Sequence, residues 1–334
     1  TIAITYAAFD AGYELNPSWS PDGQLVVFEC YKPRFVEFLS EGTNGDIPFP
    51  PSSTEICTID VANQNQSRLT QNNFDDQNPR WSPDSTQIAF VSDRDGSKAL
   101  FLMNRDGSNQ RKITDASIGT DFAWAPEGGR IALTRNDFSV KNTGGLYIVD
   151  LFTGEETQLA KGQIFNVAWS PLGGVLAYIA REEDGCIVQI IESENGEPIT
   201  NPLASACNSI AWSPSGTDLA FIGTEANENV LMKLNLQTQV VIELPVTENL
   251  LEGTLSWTSE GSSVFYLTSD HRILSIKEIE INSLQQRTIV ASQHLLVHQG
   301  KQDYSPSPDG KHLVFVQATG RNGNAQIWQQ VLDG

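Results

Sequence analysis

The sequence predicts an all-β, seven-bladed propeller from three observations: a tryptophan-anchored motif recurring along the whole chain, a constant apolar phase behind each copy, and a strand-like opening hexapeptide that complements an incomplete last repeat. The motif is a variant of Trp-Ser-Pro-Asp-Gly. Six copies open on Trp19, Trp81, Trp124, Trp169, Trp212 and Trp257, and a seventh at 306–310 (PSPDG) begins with proline. The first two anchors stand 62 residues apart, and the later ones follow at 43 to 49.

Seven residues after each anchor stands an aliphatic residue (Val26, Ile88, Ile131, Leu176, Leu219, Val264, Leu313), and nine after it a large apolar or aromatic one (Phe28, Phe90, Leu133, Tyr178, Phe221, Tyr266, Phe315). A separation of two puts both on one face of a strand, so each motif reads as strand, tight turn, strand. The turn residues fit: Pro presets its φ, Asp bonds nearby N–H groups, and Gly tolerates positive φ. A third run follows in each unit, such as 100–104 (LFLMN) or 146–150 (LYIVD), and then a weaker fourth ending in forms such as RLT or KIT. Four antiparallel strands per repeat make a propeller blade, and one such sheet buries too little apolar surface to stand alone, so the blades must stack around an axis. The last copy supplies three strands, and residues 1–6 (TIAITY) stand where its fourth is needed, so the N-terminal strand is expected to close the ring. Six blades plus a stray hairpin is the alternative, because the seventh motif is the most eroded. The whole of 1–334 reads as one domain, with a loop insertion at 31–54 in the first blade.

The bulk numbers exclude several classes. With 41 acidic and 21 basic side chains the formal charge is -20, which repels phosphate backbones and makes nucleic acid an unexpected partner. No apolar run approaches the roughly 18 residues of a membrane span. The chain opens at Thr1 without a basic-then-apolar leader, as a processed or trimmed form would.

The string N-P-x-W-S-P-D-[GS] at Asn16 and Asn78, with 88–114 (IAFVSDRDGSKALFLMNRDGSNQRKIT) behind the second copy, closely resembles the propeller repeat of the TolB-like family. The same repeat occurs in the non-catalytic propellers of tricorn-like and prolyl-oligopeptidase-like proteases. The resemblance covers essentially the whole chain and implies the propeller fold, whereas function does not follow from fold. TolB itself resembles a six-bladed propeller behind a small α/β domain, so seven blades and no such domain make this chain TolB-like and not TolB.

Binding in propellers favours the face carrying the B–C and D–A loops and the channel mouth. Three residues before each anchor stand Asn16, Asn78, Asp121, Asn166, Ser209, Thr254 and Asp303, all small and polar. They read either as a ring of oxygen-bearing side chains able to hold water, a cation or a basic side chain, or as residues that bond the backbone where the chain turns into the strand. The insertion 31–54 holds Tyr31, Phe35, Phe38 and Phe49 among prolines. These aromatics either anchor a partner or fold back over the blade's own edge. Cys30 and Cys57 flank the insertion, and Cys186 and Cys207 sit on the same face of the fourth blade and the loop beyond it. Two local disulfides are expected, with four buried thiols as the alternative. Bridges would suit a periplasmic or secreted location, and free thiols a cytoplasmic one.

No catalytic constellation is legible. There is no G-x-S-x-G elbow, Walker loop or dinucleotide fingerprint, and no catalytic motif surrounds His271, His294, His298 or His312. His294 and His298 have helical ligand spacing but fall in a strand-and-loop region, and 92–97 (SDRDGS) reads as a turn and not a calcium loop. Pectate-fragment lyases of TolB-like fold need several channel histidines, and the seven ring positions carry none. The expectation is therefore a monomeric, non-catalytic binding or scaffold propeller, without cofactor or metal, presenting one loop face to a protein or glycan partner with basic groups. The alternatives are the accessory or gating propeller of a larger enzyme such as a prolyl-oligopeptidase-like peptidase, and the sensor module of a signalling protein.

Overall fold

The computed structural model describes residues 1–5, 14–31, 53–114, 118–119, 121–136, 144–205, 209–225, 228–246, 248–251, 253–296, 303–319 and 324–332. They form seven antiparallel sheets and no helix. Blade 1 comprises strands A to D at Glu14–Trp19, Leu25–Tyr31, Thr54–Asp60 and Asn65–Arg68, and the order A-B-C-D repeats in every later blade. In blade 6 the inner strand is split into Asn249–Leu250 and Ser256–Trp257, both paired with Ser263–Asp270.

The repeat phase fixes the register. Each anchor pairs across the A–B hairpin with the aliphatic residue seven positions on, from Trp19 with Val26 to Pro306 with Leu313. All seven of these partners are fully buried. The hairpin turn is built as its residues dictate. Ser82 Oγ donates to Asp84 Oδ1 at 2.6 Å and accepts the Gln87 N–H at 2.9 Å, and the same pattern holds at Ser20 and Ser307. Gly23 and Gly310 take φ of 71° and 70°, where a Cβ would be strained, whereas Ser85 occupies the equivalent position at 62°.

Seven apolar clusters fill the seams between neighbouring blades. The one between blades 7 and 1 joins Ile4, Leu15, Trp19, Phe28, Val316 and Ile327, so the ring closes with seven blades and the six-bladed alternative falls. Closure is short. Ile2 and Ala3 pair with Gln329 and Trp328, and the Ile4 N–H donates to the Ile327 carbonyl at 3.0 Å.

The anchor tryptophans also tie blades together at their inner edge. The Trp81, Trp124, Trp212 and Trp257 indoles donate to the backbone carbonyls of Ser18, Arg80, Ala168 and Ala211, each immediately before the preceding anchor, at 2.9 to 3.3 Å. Blade 7 lacks the indole. There the fully buried Tyr304 reaches back instead, its hydroxyl donating to the Thr254 carbonyl of blade 6 at 2.6 Å.

Candidate functional site

Of the seven polar residues before the anchors, Asn16, Asn78 and Asn166 lie within the innermost strands and the others just before them, and their backbone shows why they are small and polar. Asn16, Asn78, Asn166 and Ser209 adopt left-handed φ of 59°, 53°, 47° and 71°. In blades 1, 2 and 4 they sit where the A–B register slips, between Leu15 and Ser18, Gln77 and Arg80, and Phe165 and Ala168. These are β-bulges in which asparagine tolerates a conformation that most side chains resist. The conformation serves the strand first.

The ring side chains then bond from blade to blade. Asn16 Nδ2 donates to Asn78 Oδ1 at 3.0 Å, the Asn166 N–H reaches Asp121 Oδ2 at 3.5 Å, Ser209 Oγ donates to the Gly253 carbonyl, and the Asp303 N–H donates to Thr254 Oγ1 at 2.9 Å. Four of the seven seams are thus stitched at the channel mouth.

On the side of blades 1 to 3 the stitching becomes ionic. The fully buried Glu29 accepts through Oε1 from Asn16 Nδ2 (3.2 Å) and from the Asn78 N–H (2.8 Å). Arg80 Nη1 donates to Asn16 Oδ1 (3.1 Å) and to the Pro79 carbonyl (3.0 Å). Burial lowers the Arg80 pKa to about 10 against the opposing pull of Glu29 and Asp121. Burial likewise raises Asp121, opposed by the Asn166 N–H and the charge of Arg80. One guanidinium between two carboxylates leaves this wall with excess negative charge, matching the sign of the whole chain.

Glu29 and Arg80 do not emerge from a search for known motifs, yet comparison of the repeats exposes them. Ten residues after the anchor, Glu29 stands where the other copies carry Val91, Thr134, Ile179, Ile222, Leu267 and Val316. Immediately before the anchor, Arg80 stands where the others carry only Ser, as at Ser18, or Ala, as at Ala123.

The remaining expected site residues divide. Tyr31 ends strand B of blade 1, and Phe35, Phe38 and Phe49 lie outside the described residues, as does the side chain of Tyr31. Cys30 and Cys57 form a disulfide with Cα atoms 5.9 Å apart. Cys186 is also disulfide-bonded, and its expected partner Cys207 lies outside the described residues. His298 lies outside them too, whereas His271 is exposed beside Asp270 and His312 stacks near Trp19 with centroids 6.5 Å apart. Among the described residues no group of three His, Cys, Asp or Glu is placed to hold a metal ion. The Gly96 N–H donates to the Asp93 carbonyl at 2.9 Å, so the 92–97 segment holds a turn. No helix of the described residues is long and apolar enough to cross a membrane.

The architecture defines a seven-bladed propeller whose last blade is completed by the N-terminal strand. A family model described as the TolB beta propeller domain matches residues 51–196, and this match together with the fold supports a TolB-like propeller. It is 45% identical over 58 residues to the uncharacterized peptidase YuxL of Bacillus subtilis, a stretch covering 17% of this chain and 9% of that protein. An oligogalacturonate lyase solved in complex with manganese shares the fold with a TM-score of 0.75 at 16% identity, over 99% of this chain and 92% of that one. The acylaminoacyl peptidase of Pyrococcus horikoshii superposes with a TM-score of 0.71 at 11% identity, over 100% of this chain and 54% of that one. The chain spans from about a tenth to about half the length of the curated relatives it matches.

These likenesses correct the expected function. A binding or scaffold propeller that presents one loop face to a protein or glycan partner does not match a relative named a peptidase. The Cys30–Cys57 bridge also counts against the sensor of an intracellular signalling protein.

Proposed function

We propose that this propeller is the accessory module of a larger hydrolase of the peptidase class, covering a catalytic domain and filtering what reaches it through the channel. The observation that carries the reading is the 45% identity over 58 residues with a peptidase-named relative, far above the 11% and 16% at which the fold alone is shared. The superposition of the entire chain on 54% of an acylaminoacyl peptidase supports the same division of labour. In this reading the chain supplies no nucleophile or general base. Its contribution is a rigid ring whose mouth is stitched by Asn16, Asn78, Asp121, Asn166, Ser209, Thr254 and Asp303 and biased by Glu29 and Asp121 toward cationic or neutral peptides. The disulfides at the bases of its loops support an extracytoplasmic location.

The test is hydrolysis by the full product of the gene that encodes this chain. The expected result is labelling of a serine outside residues 1–334 by a fluorophosphonate probe, with cleavage of short peptides and sparing of folded proteins. Removing the propeller should extend cleavage to larger substrates. A full gene product that neither takes the label nor cleaves peptides would overturn the reading. The full-length likeness to the lyase favours a second reading, catalysis by the propeller itself, for which unsaturated product from oligogalacturonate with manganese added would be the signature.

A further inference from the structure

On the face opposite the channel-mouth loops, blades 1 and 2 part to leave a groove of about 780 Å³. Thr58, on strand C of blade 1, forms part of its wall. Strand C of blade 1 places Thr58 opposite Val27, at the position where blades 2, 3 and 4 carry the aliphatic Leu102, Ile148 and Ile190 and blades 5, 6 and 7 the longer polar Lys233, Glu278 and Gln329. Those three aliphatic side chains fill the next seam outward, whereas Thr58, with Asn65 and Ser67 of the neighbouring strand, leaves it open. The floor is apolar, formed by the partly buried Leu25 and Leu69. Around the rim stand Asp60, Asp84 and Asp106, each in a tight turn.

The rim is negative in net. Arg105 is the cation lining the groove, and it is already committed: it pairs with Asp22, donates to Gln24 Oε1 at 3.0 Å and lies over the Trp81 ring at 5.6 Å. The three carboxylates are anchored by local donors that also keep them ionised. Asn63 lowers Asp60, Ser82 and the Thr86 N–H lower Asp84, and Ser108 lowers Asp106. In each the turn bonds fall mainly on one oxygen, Oδ1, as with the Thr86 N–H on Asp84 at 3.0 Å and the Ser108 N–H on Asp106 at 3.0 Å. An apolar floor bounded by fixed negative charges matches a cation carried on an aliphatic stem, whose methylenes lie on leucine while the head meets carboxylate.

We propose that this groove binds a basic polypeptide segment, seating an arginine or lysine stem on Leu25 and Leu69 with its head among Asp60, Asp84 and Asp106. The site is separate from the channel mouth and stands whether or not the chain belongs to a peptidase. A free polyamine presents the same chemistry, and the test separates the two sources.

The experiment is calorimetric titration of the whole chain with acetyl-Leu-Arg-Leu-Arg-amide, its citrulline counterpart and spermidine. The arginine peptide is expected to bind at least tenfold more tightly than the citrulline peptide and more tightly than spermidine. Each single change, Asp60→Asn, Asp84→Asn or Asp106→Asn, keeps a turn acceptor and should weaken binding roughly two- to fivefold. The triple variant should lose at least tenfold. Thr58→Leu touches no charge and should abolish binding by filling the groove, which separates site occupancy from general attraction to an acidic protein. Asp150→Asn, an equal charge change on a turn of blade 3, should leave affinity unchanged. Binding retained by Thr58→Leu, or lowered equally by Asp150→Asn and Asp60→Asn, would overturn the proposal, and tighter binding of spermidine would overturn the polypeptide as the occupant.

Discussion

Glu14→Gln tests the closure of the ring, because a carboxyl with a strongly raised pKa sits at that seam. Glu14 is 7% exposed on the inner strand of blade 1, and its Oε2 accepts from Thr5 Oγ1 of the N-terminal segment and from the Ile327 N–H of blade 7 at 3.2 Å. Burial raises its pKa from the usual 4.5 to about 7, in spite of the hydrogen bonds from Thr5, Ile327 and Gln66. The folded state therefore holds a proton that the unfolded chain releases near 4.5. Its contribution to stability is complete below that pH, falls as pH rises through 7, and is flat above. A shift of this size corresponds to about 3 kcal/mol of lost stability at pH 8, or roughly 5 °C in melting temperature for a chain of this length. Glutamine cannot ionise, so Glu14→Gln should match the parent near pH 4.5 and exceed it by up to that amount at pH 8. Urea unfolding of both proteins across the range gives the difference directly, and the shared acid sensitivity of carboxylates such as Asp84 and Asp309 cancels. Hydrogen exchange at Ile327 should slow in the variant at pH 8. A difference between the two proteins that does not vary with pH would refute the assignment of a proton to this seam.

Three other outcomes follow from the same geometry. Arg80→Met removes the counter-charge of both Glu29 and Asp121 and should cost about 3–5 kcal/mol in urea unfolding, with part recovered in Arg80→Met/Glu29→Gln. Tyr304→Phe removes the hydroxyl that stands in for the missing blade 7 tryptophan, so thermal unfolding should show a loss of about 1 kcal/mol. Cys30→Ser/Cys57→Ser opens a loop with a sequence separation of 27, which should cost about 3 kcal/mol and remove this bridge's share of the parent's response to reductant.

The fold was legible because every blade repeats the same physical demand. An aliphatic residue seven positions after the anchor must face a neighbour, and a column of seven such residues from Val26 to Leu313 implies seven neighbours. The ring at the channel mouth was legible in position but not in purpose. Spacing located Asn16, Asn78 and Asn166, whereas their left-handed backbone, which shows the first reason for asparagine, becomes visible only once the bulges form. Glu29 and Arg80 escaped because their partnership crosses blades 1 to 3, between positions that no local motif connects. The groove escaped for a similar reason, since threonine at 58 is unremarked in a strand until the aliphatic residues of blades 2, 3 and 4 show what it fails to fill.

Departures from the repeat therefore carry the information about function that the repeat itself cannot. Where the column rule holds, as at Val264 or Leu176, the side chain is committed to a seam and free for nothing else. Where it breaks, one of two things has happened. At Pro306 the structure compensates, because Tyr304 restores the lost bond between blades. At Thr58 no aliphatic side chain replaces the missing one, and at Glu29 a carboxylate must be balanced by Arg80 at a desolvation cost. Glu29, Arg80 and the groove at Thr58 all lie in blades 1 and 2, and the long insertion at 31–54 belongs to blade 1 as well. The buried charges, the groove and the insertion together make this sector the part of the propeller to mutate first.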